Sequence, residues 1–516
     1  MENGAENKFL RLCGISEICA ESGADYTLPD YLGDVRKILF TECVAKEAGH
    51  FSDESGDEFS GIVVYDIVYL DAEGKPTRAS FTSDYELRLK ADEERARAIC
   101  SPTVSSYSIR LNGPRRISAR ANVCASVKCI RFDEIVQSGT AFDEGERLQR
   151  KESILNLRCA FASERCEREF AERVEWLEGA VADEVEVIYS TALAEVQRVS
   201  AGEGEAVISG EVTLSALISN DGAPLYLSEK TVPFEVSVPM EGDLDEMKLA
   251  GFADTVSVTS SINPDEAGVE VVVSAIVEFF AVGEYNTKKK VSEDVFLAFG
   301  EVENTYRDYS YSELCDLESF SASGACDIGL DKLSLEKIRD IPYLSAVAKI
   351  ENAEARDGEA VLSGELRVVG VASIIDDDGD ISYTGLKFSV PFEQACKLGV
   401  LGGDDMRLEH TTRVSRISAL VDTDTAKISY KLSMNVVGSR ARCARVLSSS
   451  EAVPSENGSK ERSITVYYPT EDDTLFGVAK KYRVPVGRIA AANDISAATS
   501  TDNDTSLCGV SRLLIY

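Results

Sequence analysis

The groups that most often carry acid–base, nucleophilic or metal chemistry are thinly spread in this chain. Of 516 residues two are histidines, His50 and His410, in separate parts of the sequence. No GxSxG, HExxH or GxxxxGK[ST] pattern accompanies them, so neither a hydrolase elbow, a zincin helix nor a phosphate loop is written here. Both histidines read as surface or satisfied groups. With 89 Asp and Glu residues, some carboxylates must fall close together by chance, and no spacing singles out an acid–base pair. The run Asp376-Asp377-Asp378-Gly379-Asp380 invites a calcium-loop reading, but its twelfth position is Lys387, where an EF-hand needs a bidentate glutamate. It reads as a hairpin turn, and Asp502 and Asp504 read as a solvated loop. The 13 cysteines include no CxxC pair and read as thiols packed in cores, with later crosslinking as the alternative. The expectation is a protein that is no enzyme and holds neither cofactor nor metal.

What elements, then, does the chain build? Its 54 Lys and Arg leave a net charge of −35, which repels nucleic acid and anionic lipid. The hydrophobic fraction of 44% and only 13 prolines favour folded domains over an acidic disordered chain. The opening MENGAENKFLRLCG lacks the apolar run of a signal peptide, and no stretch approaches the roughly 20 apolar residues of a membrane helix. A cytosolic location is expected.

One pattern recurs three times. SGIVVYDIVYLDAEG begins at Ser60, SGEVTLSALISNDG at Ser209 and SGELRVVGVASIIDDDG at Ser363, with Gly61, Gly210 and Gly364 at matching places. In the second copy Val212, Leu214, Ala216 and Ile218 alternate with polar residues, the period of a half-buried strand. The Asp/Gly turns that follow suit tight hairpins. A second strand then reaches an aromatic landmark: Phe234 and Phe392 in VPFE contexts, and Phe81 in the first copy. Each copy closes on another alternating strand, as in Ile428, Tyr430, Leu432, Met434 and Val436. Short strands at this spacing predict a mainly β protein: three tandem antiparallel repeats of β-sandwich or open-barrel type over 1–142, 150–290 and 325–446. The segments DEGERLQRKESILNLRCAFASERCEREFAERVEWLEG and LSLEKIRDI between them could be helical. Edge strands in the repeats offer a route to a homo-oligomer.

The stretch DYTLPDYLGDVRKIL, with Leu28-Pro29-Asp30 and the Val35, Ile38, Leu39 spacing, resembles together with the repeated Ser-Gly strand the SPOCS domain (DUF3794) of spore-coat morphogenesis proteins. Copies two and three lack the Leu-Pro-Asp element, so their likeness rests on the strand pattern.

Residues 447–462, rich in Ser, Glu and Pro, read as a linker. Beyond it, 463–516 follow a β-α-α-β order: SITVYYP is a strand, and Asp472 or Asp473 can cap a helix starting at Thr474. Leu475, Val478, Ala479 and Tyr482 share one helical face. Pro485 suits the first turn of a second helix ending near Asn493, and RLLIY is the last strand. With Asp473-Thr474-Leu475, Ala-Lys-Lys-Tyr and Asn493, this tail resembles a LysM domain. The resemblance implies a ligand held by the first turn and by the loop before the last strand. Its residues here are Asp473, Thr474, Leu475, Lys480, Lys481, Tyr482, Arg488 and Asn493, with Leu475 and Asn493 chiefly structural. LysM domains commonly bind N-acetylglucosamine in peptidoglycan. Asp472 stands where the family usually has glycine, which narrows the approach of a sugar and favours a protein partner. Lys480, Lys481, Arg483 and Arg488 form a cationic set suited to an acidic partner face. SPOCS-like repeats followed by a LysM tail resemble clostridial coat morphogenetic proteins. That likeness implies a scaffold in the mother-cell cytoplasm at the forespore surface, docked on the coat's basement-layer ATPase and other coat proteins. Peptidoglycan binding is the alternative.

Overall fold

Alternation of apolar and polar side chains sets the architecture. The structure, a computed structural model, describes residues 8–90, 97–136, 147–220, 223–331, 333, 338–375, 379–399, 406–453, 464–495 and 505–516. The first β unit comprises β1 (Lys8–Thr27), β2 (Lys37–Asp53), β3 (Gly56–Leu70), β4 (Pro76–Lys90), β5 (Arg97–Gly113) and β6 (Arg116–Glu134). Two antiparallel sheets form, ordered β1-β6-β5 and β2-β3-β4. Their inward side chains, among them Val63, Tyr65 and Ile67 of β3 and Ala119, Ala121 and Val123 of β6, make one core.

The second unit repeats this order. It contains β7 (Leu148–Ala162), β8 (Cys166–Glu178), β9 (Val185–Ala201), β10 (Glu205–Asn220), β11 (Tyr226–Pro239), β12 (Lys248–Asp265) and β13 (Gly268–Leu297). The sheet β9-β10-β11 faces a sheet in which β13 pairs with β12 and with both β7 and β8, which lie along it as one interrupted strand. The third unit has β14 (Glu301–Gly329), β15 (Ile338–Arg356), β16 (Glu359–Ile375), β17 (Ile381–Lys397), β18 (Met406–Val421) and β19 (Thr425–Val453), in the sheets β14-β19-β18 and β15-β16-β17. Val212, Leu214, Ala216 and Ile218 are buried as their alternation requires, and so are Ile428, Tyr430, Leu432, Met434 and Val436. The fold is mainly β, in three face-to-face antiparallel units.

Strand pairing carries these sheets beyond the segments read from the sequence. β14 starts at Glu301, ahead of residue 325, and pairs with β19 through Glu301↔Val453. The stretch 447–453, read as linker, is therefore strand; Leu447 and Ser450 are buried, and residues 454–463 lie outside the described residues. The segment 148–178, a candidate helix, is two strands. Its Glu, Arg and Ala content favours a helix locally, yet Leu155, Leu157 and Cys159 alternate inward, and β13 offers a long partner that overrides propensity. Ile338-Arg339-Asp340-Ile341 likewise belongs to β15, while 334–337 fall outside the described residues. So do Asp376–Asp378, but Ile375 pairs with Ile381 across them, as a hairpin requires.

The three repeat glycines share one task. The pairing of the preceding strand shifts register beside each of them, between Glu47 and Gly49, between the Ser209 and Gly210 pairs, and between Ile350 and Asn352. A β-bulge there pushes a carbonyl oxygen inward, from Lys46, Glu195 and Lys349, onto the place where a Cβ would stand. On the other side an aromatic ring covers the bare backbone: Tyr85 is paired with Gly61, Phe234 with Gly210 and Phe392 with Gly364. Glycine and ring thus form a cross-strand unit that restores the surface the missing side chain leaves open. The counterpart of Phe234 and Phe392 is accordingly Tyr85, not Phe81. Phe81 instead stacks between Tyr26 and Tyr65.

The units close into a ring. β4 touches β9, β11 touches β15, and β17 returns to β2. Polar contacts mark the seams: Lys75 Nζ lies 2.6 Å from Glu186, the Leu225 N–H donates to Tyr383 Oη at 2.9 Å, and Lys37 Nζ donates to Thr384 Oγ1 at 2.8 Å. At the centre Phe40, Tyr189 and Tyr343 meet. Each is paired with the residue seven places past its unit's glycine, namely Val68, Leu217 and Val371. Their ring centroids are 5.0 to 5.5 Å apart, in tilted and edge-on geometries that suit aromatic quadrupoles. Tyr189 and Tyr343 both donate their hydroxyls to Glu42, at 2.8 and 2.7 Å. Burial first, and then the nearby Glu42 charge, raises both phenols well above their usual value.

A buried ion network makes a second bond among all three units. Arg158 grips Glu284 with two hydrogen bonds at 2.6 and 2.8 Å and reaches Glu409 at 2.7 Å. Lys128 holds the other Glu409 oxygen at 2.8 Å. Burial alone would raise the Glu409 carboxyl, but Arg158 and Lys128 overcome it and pull its pKa down to about 2.

Two predictions follow from this frame. Gly210→Val must push its side chain against the Glu195 carbonyl and Phe234, so a loss of at least about 2 kcal/mol is expected in chemical denaturation. A fully stable Gly210→Val would remove the bulge argument. For Glu409, a folded value below the unfolded 4.5 means stability that is present above pH 4.5 and lost as pH falls towards 2. Its size is on the order of 3 kcal/mol. Urea unfolding of wild type and Glu409→Gln should show a wide gap at pH 6 that narrows by pH 2.5; a gap independent of pH would refute it.

Candidate functional site

The tail is built from short elements. β20 (Thr465–Tyr467) pairs antiparallel with β21 (Leu513–Ile515), and between them lie α1 (Leu475–Tyr482) and α2 (Val486–Ala492). Leu475, Phe476, Val478, Val486, Ile489, Leu507, Leu513 and Ile515 form its core. The cap of α1 is Thr474, whose Oγ1 accepts from the Gly477 N–H at 3.1 Å. Neither Asp472 nor Asp473 takes that part. Arg483 ends the helix at φ +56°, its N–H donating back to Ala479 and Lys480, and Pro485 occupies the cap of α2, one place before its first helical residue.

Asp473 ties the first turn. Its Oδ2 accepts from the Thr470 N–H at 2.7 Å, from Thr470 Oγ1 at 3.0 Å and from Tyr467 Oη at 2.9 Å. The Thr470 N–H, followed by the Tyr467 hydroxyl, holds this carboxyl below the usual aspartate value. The same hydrogen bond raises the Tyr467 phenol. The turn then zips to the segment before the last strand: the Leu475 N–H donates to the Thr505 carbonyl at 2.9 Å, and the Leu507 N–H to the Asp473 carbonyl at 2.9 Å. Glu471, Asp472 and Ser506 stay exposed beside this bridge.

The sequence-predicted residues fall into four places. Asp473, Thr474 and Leu475 lie at the turn, with Leu475 buried. Tyr482 meets Tyr467 edge-on at 5.7 Å, and the Lys481 ammonium lies 4.9 Å from the Tyr467 ring, which joins both to that turn. Asn493 is a clip between α2 and β21, giving its amide to the Ile489 and Leu514 carbonyls and accepting the Leu514 N–H at 2.7 Å. Arg488 stacks 5.3 Å from the Tyr516 ring. Lys480 turns elsewhere.

That departure corrects the cationic set. Lys480 Nζ lies 2.5 Å from Asp294 Oδ2 and Arg483 Nη1 lies 2.6 Å from Glu301, so both bind this chain's own β units. Phe476 packs edge-on against Phe296 at 5.2 Å. The Phe299 N–H donates to the Arg483 carbonyl at 3.0 Å, and the Val486 N–H to Gln149 at 3.1 Å. Docking thus runs along one face of α1, from Phe476 in its first turn to Arg483 at its end, and leaves the Thr470–Thr474 turn ahead of the helix open. Sequence reading named the loop before the last strand but not its residues Thr505–Leu507, and it missed Tyr467; their signals are a buried leucine ahead of β21 and a tyrosine on the inward alternation of β20. Asp502 and Asp504 are outside the described residues.

The other candidate groups are dispersed. His50 sits 2.7 Å from Asp57 across the β2–β3 hairpin and stacks on Phe59. His410, on β18, has its pKa lowered by burial and then by Lys128, and so stays neutral. Cys19 and Cys124 face each other in the β1–β6 register and are joined by a disulfide with a Cα separation of 4.1 Å. The packed-thiol reading fails for that pair because cross-strand partners share one face. Burial, aided by acidic neighbours, pushes the Cys43 and Cys100 thiols up to about 12, which keeps them inert.

Comparison with known proteins agrees with the tail. Residues 470–499 match the LysM domain family. No curated protein and no solved structure matches the chain. The match does not reach the three β units.

The docking contact has a direct test. Lys480→Glu should repel Asp294 and expose the Phe299 N–H, raising its hydrogen-exchange rate several-fold, while the partner change Asp294→Lys should restore protection. Unchanged exchange in the single variant would show that the ion pair does not hold the tail.

Proposed function

We propose that this chain is a non-enzymatic binding protein that presents a LysM domain, fixed to a closed β ring, to an N-acetylglucosamine polymer such as peptidoglycan. The observation that carries this reading is the direction of docking. One face of α1, from Phe476 to Arg483, is used against the β units, while the Thr470–Thr474 turn and Ser506 stay available. Fixing the domain removes orientational freedom before binding, which lowers the entropy cost of holding a long polymer. The dispersed histidines and the half-buried Cys43 and Cys100 thiols, raised well above their usual value, support a role without turnover.

A second reading is favoured by the chemistry of the same turn. Two of its backbone groups, the Leu475 and Leu507 N–H, are already paired within the chain, and Glu471 and Asp472 add exposed carboxylates. A basic protein face fits that surface better than a neutral sugar does. Under this reading the chain is a spore-coat scaffold in the mother-cell cytoplasm at the forespore surface, with its tail docked on the basement-layer ATPase. The resemblance of the three units to SPOCS repeats supports it.

Binding to purified peptidoglycan separates the two. The glycan reading expects saturable retention of the full chain, competition by soluble N-acetylglucosamine oligomers, and several-fold tighter binding of Asp472→Gly. No retention, together with recovery of the basement-layer ATPase from sporulating mother-cell extract, would overturn it in favour of the scaffold.

A further inference from the structure

The centre of the ring holds a second candidate site, separate from the tail. Above the Phe40, Tyr189 and Tyr343 trio opens a cavity of about 370 Å³ lined by all three β units. The outward faces of β2, β9 and β15 approach it in layers. After the aromatic layer comes Glu42 with Thr191 and Ser345, and after that Val44 and Leu193.

A junction serving stability alone would continue the apolar packing of the trio. Instead the lining turns polar and charge-balanced. Arg78 is paired with Asp66 at 2.6 Å and lies over the Tyr189 ring, and the Lys46 ammonium donates to the Val256 carbonyl at 2.8 Å. Arg416 is held only at 3.6 Å from Glu229 and is two-thirds exposed. These paired side chains keep between 16 and 66% of their surface exposed, so the charged lining is open to a ligand in the cavity and not sealed into the ring. Glu42 already accepts two phenols, yet each carboxylate oxygen can accept again. At the rim Val44, Leu193 and Val256 stay 50, 39 and 38% exposed, which leaves an apolar border around a polar floor.

We propose that this axial cavity binds an uncharged, polyhydroxylated ligand of one or two sugar rings. Three cations balance three carboxylates among the lining groups named above, so a strongly charged ligand finds no excess of either sign. Thr191, Ser345, Glu42 and the loosely held Arg416 supply mixed donors and acceptors, as a polyol requires. The volume is that of a small-ligand pocket. The site stands independently of the tail and of the function proposed for it.

The test is saturation-transfer NMR on the full chain with glucose, maltose and sucrose, none of which carries the N-acetyl group proposed for the tail's ligand, and with lysine and glutamate as charged controls. Transfer is expected to at least one saccharide and to neither amino acid. Arg416→Ala, an exposed change, should weaken it about tenfold, and Ser345→Trp should abolish it by filling the cavity. Asp472→Arg in the tail should leave it unchanged. Saccharide transfer lost with Asp472→Arg but kept in Arg416→Ala would assign the binding to the tail and overturn the axial site. Absence of saccharide transfer, or a preference for either amino acid, would overturn it too. If Ser345→Trp fails to fold, the Arg416→Ala comparison decides alone.

Discussion

Three aromatic rings and one carboxylate at the centre decide whether three β units make one molecule. Phe40, Tyr189 and Tyr343 occupy equivalent positions, yet they differ in kind: one unit supplies a phenyl ring and the acceptor Glu42, and the other two supply phenol donors. Three identical subunits could not divide these parts. Three tyrosines would lack the acceptor, and three glutamates on the axis would repel at low dielectric. A single chain carrying three divergent copies solves this, since each copy can specialise. The buried hydroxyls then find partners, and leaving them unpaired would cost about 1–3 kcal/mol each. Removing the knot would also free the edges of β2, β9 and β15 to pair outside the ring.

Within each unit the glycine, bulge and ring triplet directs that edge strand. The bulge raises local twist, and the glycine accepts the displaced carbonyl that any Cβ would reject. Tyr85, Phe234 or Phe392 closes the opposite side. Because the triplet sits a fixed seven residues from the axial position, a single local device repeated three times aims three edge strands at one axis. The long strands β13 and β19 run on past their own sandwiches and meet each other and β14, while β1 touches β7 and β14. There Phe9, Leu155, Leu157, Val291, Tyr309 and Val446 form a further shared core.

Much of this was legible in the residues. Alternation in the closing strands named the buried face, and the Ser-Gly repeats marked the triplet, although the ring partner in the first copy was misread because Phe81 and Tyr85 both alternate inward. Segment 148–178 misled because helix propensity is local, while its strand partner β13 lies about a hundred residues on; no short window contains both. Residues 447–453 misled for the same reason, being polar and partnered only at β14. In the tail, spacing found the turn and the Asn493 position but not the direction of Lys480. A charge shows no partner until the fold brings one, and Asp294 stands nearly two hundred residues earlier. The Glu42, Tyr189 and Tyr343 knot has no local signature at all, since its members lie in three copies and only ring closure assembles them.

The placement of charge gives this docking its force. Within a chain of net charge −35, residues 463–516 are almost neutral, with five basic against six acidic side chains, so what matters is where those charges sit. The tail places Lys480 and Arg483 against Asp294 and Glu301 and keeps Glu471 and Asp472 at its far, exposed end. Each surface pair alone is worth under about 1 kcal/mol, but Phe476 on Phe296 and the Phe299 N–H add apolar and directional contacts beside them. The result is a polarised small domain whose basic end is spent inward and whose acidic turn faces out. Whatever binds that turn meets it in one orientation, and a basic or uncharged surface approaches more readily than an acidic one.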